Sequence, residues 1–572
     1  RELDPIVVTA TLGPRTVGES LSSVTVIDEE EIREKAANAF QDLLHGQPGV
    51  SVKSNGSFGK ATSVYIRGTG NDSTLFLVDG VRLRSATSGG ASWQYFPPEL
   101  VERVEIVRGP KSSLYGADAL GGVIQAFTLD PDQDRTGWVE AGAGNFDTQK
   151  TAAGVGGKSG NTRISLSGVH RETDGTAVVT GGEDKGFRNT AGVGHVAHRF
   201  DNGGEASVMV FQSEGNTEYA GGEMDFRLRT VGLNLETPVS DYWTQAMQFS
   251  ESRDETDDMG SIFNTRTRTA RWVNTLTWDV HELALGAELM NDEVSGTKDY
   301  EETSRTNAAV FSQLRLNFGP ADVQLSLRED DNEAYGTDTT GGIAVGYAFD
   351  RSHRVRASYG TAFRAPTFND LYWPSSGNPD LEAEESETYE LGFSGHYPVW
   401  YWDIALFQLD VENLIAWQPN ASGLWQPMNV NEARVQGAEL SAGFEKDGWR
   451  GDIAVTLLDP ENRATGNDLE HRSTQSLRLD LSKQLGNFDV GSTLVAANHR
   501  YNDADNEEQL PGYGILNLRA GWAFAPGWSG KLSVENVFDR ERKTAKRSAF
   551  SGGGYYITAG RTAMLTVRYD FL

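Results

Sequence analysis

Cysteine is absent from the 572-residue chain, which removes disulfide frameworks and thiolate metal sites and suits a passage through an oxidising compartment. Equally missing is any uninterrupted apolar run near the roughly 18 residues that a membrane-spanning helix requires. Hydrophobic residues make up 38% and mean hydropathy is -0.46, so a helical membrane protein is excluded. What remains is a soluble multidomain chain or a β-barrel, whose strands are apolar only at alternate positions and read as polar overall. Bases are scarce, 51 against 81 acids for a formal charge of -30, a field that repels the phosphate backbone of nucleic acids. The acidity is read as the solubility of long surface loops. The chain opens at Arg1 without an apolar signal segment, which reads as a processed or trimmed N-terminus.

What is abundant is glycine, 64 residues, and aromatics, 10% with 13 Trp, 18 Tyr and 25 Phe. That combination fits turn-rich β-structure bounded by aromatic girdles. The required period of two is present: Leu477, Leu479 and Leu481 alternate with Arg478 and Asp480. Leu516, Leu518, Ala520, Trp522 and Phe524 alternate with Asn517, Arg519 and Gly521. A short turn at Ala525, Pro526 and Gly527 follows. Polar stretches at 183–189, 214–225, 292–306 and 503–508 are expected to be long loops. Short turns at one rim and long loops at the other are the asymmetry of an outer-membrane barrel. The last strand alternates Leu565, Val567, Tyr569 and Phe571. The segment 132–572 contains no linker that would divide it into several β-sandwiches.

The first 130 residues read differently. The stretch 29–44 carries helical spacing, with Ile32, Ala36, Phe40 and Leu43 on one side and acids in the first turn. Short β segments are expected at 63–67, 75–78 and 101–107, making a small mixed domain that ends near Asp130, Pro131 and Asp132.

Several ordered motifs carry a resemblance. They are Gln47-Pro48-Gly49-Val50, Tyr65-Ile66-Arg67-Gly68, Leu77-Val78-Asp79-Gly80-Val81, Val104-Glu105-Ile106-Val107-Arg108-Gly109-Pro110 and Ser113-Leu114-Tyr115-Gly116-Ala117. Further along stand Phe363-Arg364-Ala365-Pro366, Asn378-Pro379-Asp380-Leu381, Tyr389-Glu390-Leu391-Gly392 and Glu535-Asn536-Val537-Phe538-Asp539. In order and spacing these resemble the TonB-dependent receptors of Gram-negative outer membranes. The resemblance implies an all-β transmembrane barrel of about 22 antiparallel strands, with an N-terminal mixed α/β plug inside the lumen. Its expected divisions are 1–12, a TonB box and flexible segment; 13–131, the plug; and 132–572, the barrel.

The resemblance also implies roles. Asp4-Pro5-Ile6-Val7-Val8-Thr9-Ala10 is similar to a TonB box, extended by its β-branched run and expected outside the plug fold, free to add as a strand to the TonB C-terminal domain. Arg67 and Arg108 match plug arginines that pair with barrel carboxylates, and Glu390 and Glu439 match those carboxylates. Such pairs fix orientation and can be broken without dismantling an apolar core.

Within the family, the run 63–122, the stretch 357–366 and the compact length are most similar to the cobalamin receptors. A large, nearly neutral corrinoid calls for a broad polar and aromatic cup, and the apices 57–61 and 85–93 would lie beneath it. Ser57, Phe58, Arg84, Ser85, Ser88 and Trp93 are therefore the expected ligand residues. Those receptors hold calcium in early extracellular loops through acidic oxygens. Here Glu183, Asp184, Glu218 and Asp225 fall in the corresponding places, with Lys185 and Ala177 departing from the pattern. No other cofactor is implied.

The alternative cargo is a ferric siderophore of the catecholate type, since those receptors share the plug motifs. A haem receptor is disfavoured, because its histidine between the two barrel boxes has no counterpart in 367–377, and His45 is expected to face the periplasm. The remaining partners implied are outer-membrane lipid, lipopolysaccharide and a periplasmic binding protein, with a monomeric barrel. An enzyme reading finds little support. The phosphate-loop-like end Gly157-Lys158-Ser159 lacks the first glycine, which is Ala152, and no helix follows. A passive porin would need neither plug nor TonB box.

Overall fold

The computed structural model describes residues 4–130, 135–419, 424–547 and 552–571. Among them, 22 antiparallel strands from Arg135–Gly144 to Thr562–Asp570 close into one barrel. The first and last strands pair with each other, Val139 opposite Tyr569 and Ala141 opposite Val567. Closure leaves no strand edge with unpaired amides facing hydrocarbon.

Alternation decides which way each side chain points. Leu479 and Leu481 are 37% and 43% exposed on the outer face, whereas Arg478 between them is buried in the lumen. Leu518 and Trp522 face out while Arg519 faces in. A lumen wall of charged and small residues inside an apolar coat is the inverse of a soluble core, and it suits a cylinder in lipid.

The two rims differ. At one, turns of a few residues such as 160–161, 241–242, 486–487 and 526–527 join the strands. Phe200, Tyr242, Trp278, Phe318 and Phe349 lie exposed in or beside the turns of this rim, as interfacial anchors do. At the other rim the connections 365–383, 463–474, 498–512 and 536–561 are long. Two of the expected long loops are instead paired strand. Residues 184–189 begin the strand Asp184–Arg199, and 214–225 form the tip of the hairpin Glu205–Tyr219 and Gly222–Ser240, paired out to Tyr219 opposite Gly222. Polarity misled here, because strands that project beyond the membrane carry polar residues on the outer face too, while Phe187, Asn189 and Thr217 on the inner face are buried. The region 292–306 does contain a connection between strands, and 503–508 lies within the small hairpin joining Arg500–Tyr501 and Gln509–Leu510. The phosphate-loop-like segment ends the strand Thr148–Ser159, which leads into a turn.

Inside the barrel sits the N-terminal domain. Its five-stranded sheet has the order Val24–Ile27, Val101–Arg108, Gly122–Thr128, Thr74–Val78, Val81–Arg82, with the Thr74–Val78 and Gly122–Thr128 strands parallel. The three β segments read from sequence are all present. The single helix expected over 29–44 is two: α1 (Glu29–Lys35) and α2 (Phe40–Leu44). Ala36 caps α1 in the left-handed conformation at φ 45°. Asp42 of α2 then accepts from the Ala39 amide, capping the second start. The apolar spacing that spans both helices reports a shared core, not a continuous axis. That core is aromatic: Phe76 lies 4.6 Å from Trp93 and 5.3 Å from Phe96, and Phe40 lies 5.1 Å from Phe96. The domain boundary expected at Pro131 and Asp132 falls in 131–134, outside the described residues.

Candidate functional site

Four side chains separated widely in sequence meet where the plug touches the barrel wall. Arg67 closes the strand Thr62–Ile66 at φ 53°. Its Nη1 donates to Glu390 Oε2 at 2.7 Å, and its Nε and Nη2 donate to the two oxygens of Glu439 at 2.9 and 3.1 Å. Arg108, ending the strand Val101–Arg108, donates from Nε to Glu439 Oε2 at 3.0 Å. The guanidinium of Arg67 also stacks 4.1 Å from the Phe407 ring. All four charged groups are buried. The forked guanidinium matches two carboxylates at once, and removing one partner from such a buried set costs about 3–5 kcal/mol. The Gln47-Pro48-Gly49-Val50 motif has a physical reason here. A Cβ on Gly49, at φ 69°, would lie 2.2 Å from Glu439 Oε1.

Sequence reasoning missed how far this network extends. Arg356 reaches Glu390 Oε1 at 3.4 Å and Asp403 at 2.6 Å, and Ser23 donates to Glu390 at 2.7 Å. Toward the long-loop rim, Arg364 bridges plug and barrel by pairing with Asp72 at 2.7 Å and Glu384 at 2.6 Å. Burial raises the Asp72 carboxyl above its ordinary range despite that arginine. Arg364 lies in a motif already noted, but its partner could not be read from spacing.

The expected ligand residues divide. Trp93 is a correction: it is fully buried in the plug core, with Nε1 donating to Asn71 Oδ1 at 3.0 Å. Arg84 is a second, buried and paired with Asp292 at 2.8 Å. Beside the same loop tips, Trp93 turns into the plug interior and Arg84 turns to the barrel wall. Ser85 and Ser88 do lie at the apex, their hydroxyls 3.2 Å apart and Ser88 exposed. Ser57 and Phe58 are half-buried beneath the last long loop, the Ser57 hydroxyl accepting from the Ala559 amide at 2.9 Å. His45 is also a correction. Its Nε2 lies 2.7 Å from the hydroxyl of Tyr513, which begins a strand at the long-loop rim, so it does not face the short-turn side.

The segment Asp4, Pro5, Ile6, Val7, Val8, Thr9, Ala10 does not stand outside the plug as expected. Ile6–Val7 pairs with Arg15–Thr16, and Val7, Thr9 and Ala10 are buried. Glu105 on the plug sheet accepts from the Val8 amide at 3.1 Å, the Thr9 amide at 2.8 Å and the Thr9 hydroxyl at 2.5 Å. A short β-branched strand with free edge amides finds an acceptor when one is near. Arg15 ties the neighbourhood to barrel Glu282 at 3.1 Å.

The four acids assigned to calcium are engaged separately. Glu183 faces Lys185 at 3.9 Å, Glu218 accepts from the Gly186 amide at 3.0 Å, and Asp225 accepts from Asn216 at 2.8 Å. Asp184 opens a barrel strand opposite Ala177. Among the described residues no group of three or more such side chains is placed to share a metal ion.

This architecture can be set beside known proteins. A family model for the TonB dependent receptor-like β-barrel matches residues 110–537, and one for the TonB-dependent receptor plug domain matches residues 16–123. The chain belongs to the TonB-dependent receptor family. It is thus an outer-membrane transporter of the Gram-negative type, in a family of transporters and receptors. It is 32% identical over 582 residues to the vitamin B12 transporter BtuB of Photobacterium profundum, covering 97% of this chain and 95% of that one. To BtuB of Vibrio vulnificus (strain YJ016) it is 29% identical, covering 99% and 95%. Among solved structures, the siderophore receptor PirA of Acinetobacter baumannii superposes with a TM-score of 0.83 at 18% identity, covering 97% and 99%. The ferripyoverdine receptor of Pseudomonas aeruginosa does so at 0.83 and 17%, covering 99% and 89%. At those identities the structures speak for the fold alone.

Proposed function

We propose that this TonB-dependent transporter imports cobalamin or a related corrinoid. The observation that carries the cargo assignment is the 32% identity to a vitamin B12 transporter across 97% of the chain. The plug apex agrees in character. The charge of Arg84 is taken up by Asp292, leaving the hydroxyls of Ser85 and Ser88 at the apex. A nearly neutral ligand is better met by such groups than by a charged clamp. The 4–10 segment serves as the handle for TonB, released from Glu105 and added as a strand to the partner. Arg67, Arg108, Glu390 and Glu439 act as the lock that holds the plug until that pull arrives.

The test is titration calorimetry of the purified full-length barrel with cyanocobalamin, a ferric catecholate and haem in turn. Saturable heat with cyanocobalamin alone supports the assignment. Heat with the catecholate and none with cyanocobalamin overturns it.

A further inference from the structure

In a chain with a formal charge of -30, one cavity has cations in its wall and no carboxylate. It lies where the plug meets the long-loop end of the barrel. Lys53 lines it from the plug strand Val50–Ser54, Arg500 from the connection 498–512 and Arg542 from the connection 536–561, with His45 and His471 alongside. Glu470, the acid that acts on Lys53, is not part of the wall, and Asp42, which Arg542 also influences, lies in the adjoining cavity.

Three buried polar atoms in or beside this wall have no partner among the described residues. Arg500 is 7% exposed; its Nη2 donates to the Lys543 carbonyl at 2.8 Å, but its Nη1 is buried without a partner among the described residues. The same holds for Arg542 Nε and His471 Nδ1. The Tyr513 ring lies beside both guanidiniums, its centroid 5.9 Å from Arg500 and 4.9 Å from Arg542. Burial, then repulsion from Lys53, Arg472 and Arg500, pushes His471 down to about 3. Burial, then the charges of Arg542, Arg478 and Arg500, likewise lowers His45. Buried donors without acceptors, in a wall that holds cations and no carboxylate, are costly unless something fills the gap.

We propose that this cavity is a binding site for a tetrahedral oxyanion of the phosphate class, held by Arg500, Arg542 and Lys53. Planar guanidinium forks match phosphate oxygens, and an ammonium adds a point charge. Because the three cations come from the plug and two separate loops, the anion joins the outer loops to the plug. The inference goes beyond the cargo assignment and does not depend on it. The same chemistry is offered by free phosphate and by the phosphodiester of a larger cargo.

The experiment is calorimetry of the full chain with inorganic phosphate at constant ionic strength, in a buffer free of other oxyanions. Saturable binding is expected, weakened about tenfold or more for each arginine removed in the Arg500→Gln, Arg542→Gln double variant. No saturable binding to the unaltered protein, or equal affinity in the double variant, overturns the site as an adventitious contact. If the double variant does not fold, Lys53→Gln decides, with about tenfold weakening expected and unchanged affinity overturning the proposal. Repeating the phosphate titration with cyanocobalamin present separates the sources. Competition assigns the site to a cargo phosphodiester and independent binding assigns it to free phosphate; both keep the site. Phosphate binding without cyanocobalamin binding removes the cargo assignment alone, and the reverse removes this site alone.

Discussion

Inside the plug, Phe40, Phe76, Trp93 and Phe96 pack ring on ring with no charge among them, whereas against the barrel wall the plug presents Arg67, Arg84 and Arg108 to Glu390, Glu439 and Asp292. The two kinds of contact respond differently to force. An apolar core loses its stability as a unit, through cavities that cannot refill. An ionic seam parts pair by pair, and each freed charge is rehydrated if water can follow it. A plug built this way can leave its seat while remaining folded in part.

The comparison is broken most completely by removing the point at which force enters. Deleting residues 4–11 should leave cyanocobalamin binding unchanged in calorimetry and reduce cellular uptake to background; loss of binding as well would make the segment structural. Next in size is Trp93→Ala, which should cost the plug interior about 3–5 kcal/mol. It is read as plug cleavage under limited proteolysis, and a plug as resistant as the original would mean that the aromatic cluster is not its core. Glu390→Gln loosens the seam alone, by about 3–5 kcal/mol, because it takes the charge from a buried carboxylate that Arg67 and Arg356 share. Transient ion conductance in planar bilayers should rise while protease resistance of the plug interior is kept; rising proteolysis without conductance would reverse the assignment of the two contacts. The smallest effect is expected from Asp42→Asn and depends on pH. Burial, aided by Glu535, raises the Asp42 carboxyl to about 7. A raised carboxyl favours the protonated folded state, so its contribution is full below about pH 4 and is lost as pH rises through 7. The variant should melt higher than the original at pH 8, with the difference shrinking steadily as pH falls through 7 toward 4; a constant difference across that window would remove Asp42 as its source.

Much of the barrel was legible because lipid imposes a period of two. Leu479 and Leu481 had to face out once Arg478 faced in. The seam residues Arg67, Arg108, Glu390 and Glu439 were legible only through motifs, since nothing local announces that residues 67 and 439 touch. Arg356 and the Asp72–Arg364 pair were missed for the same reason. Trp93 and Arg84 were misassigned because nearness to a loop tip in sequence says nothing about which way a side chain points. The hairpin Glu205–Tyr219 and Gly222–Ser240 was misread because its tip, 214–225, carries polar side chains toward both faces, although Thr217 there is buried. The N-terminal segment was expected outside the plug, yet a buried acceptor at Glu105 captures it.

The pairing of Arg135–Gly144 with Thr562–Asp570 sets a condition on biogenesis. The cylinder cannot be completed until its two most distant strands, more than 400 positions apart in the chain, have been brought together. Loop-closure entropy over such a span must be met before any reward arrives, which makes assembly slow and leaves sticky intermediates exposed. Polypeptides of this design therefore have to be kept from aggregating during transit and delivered to the bilayer before their ends are joined.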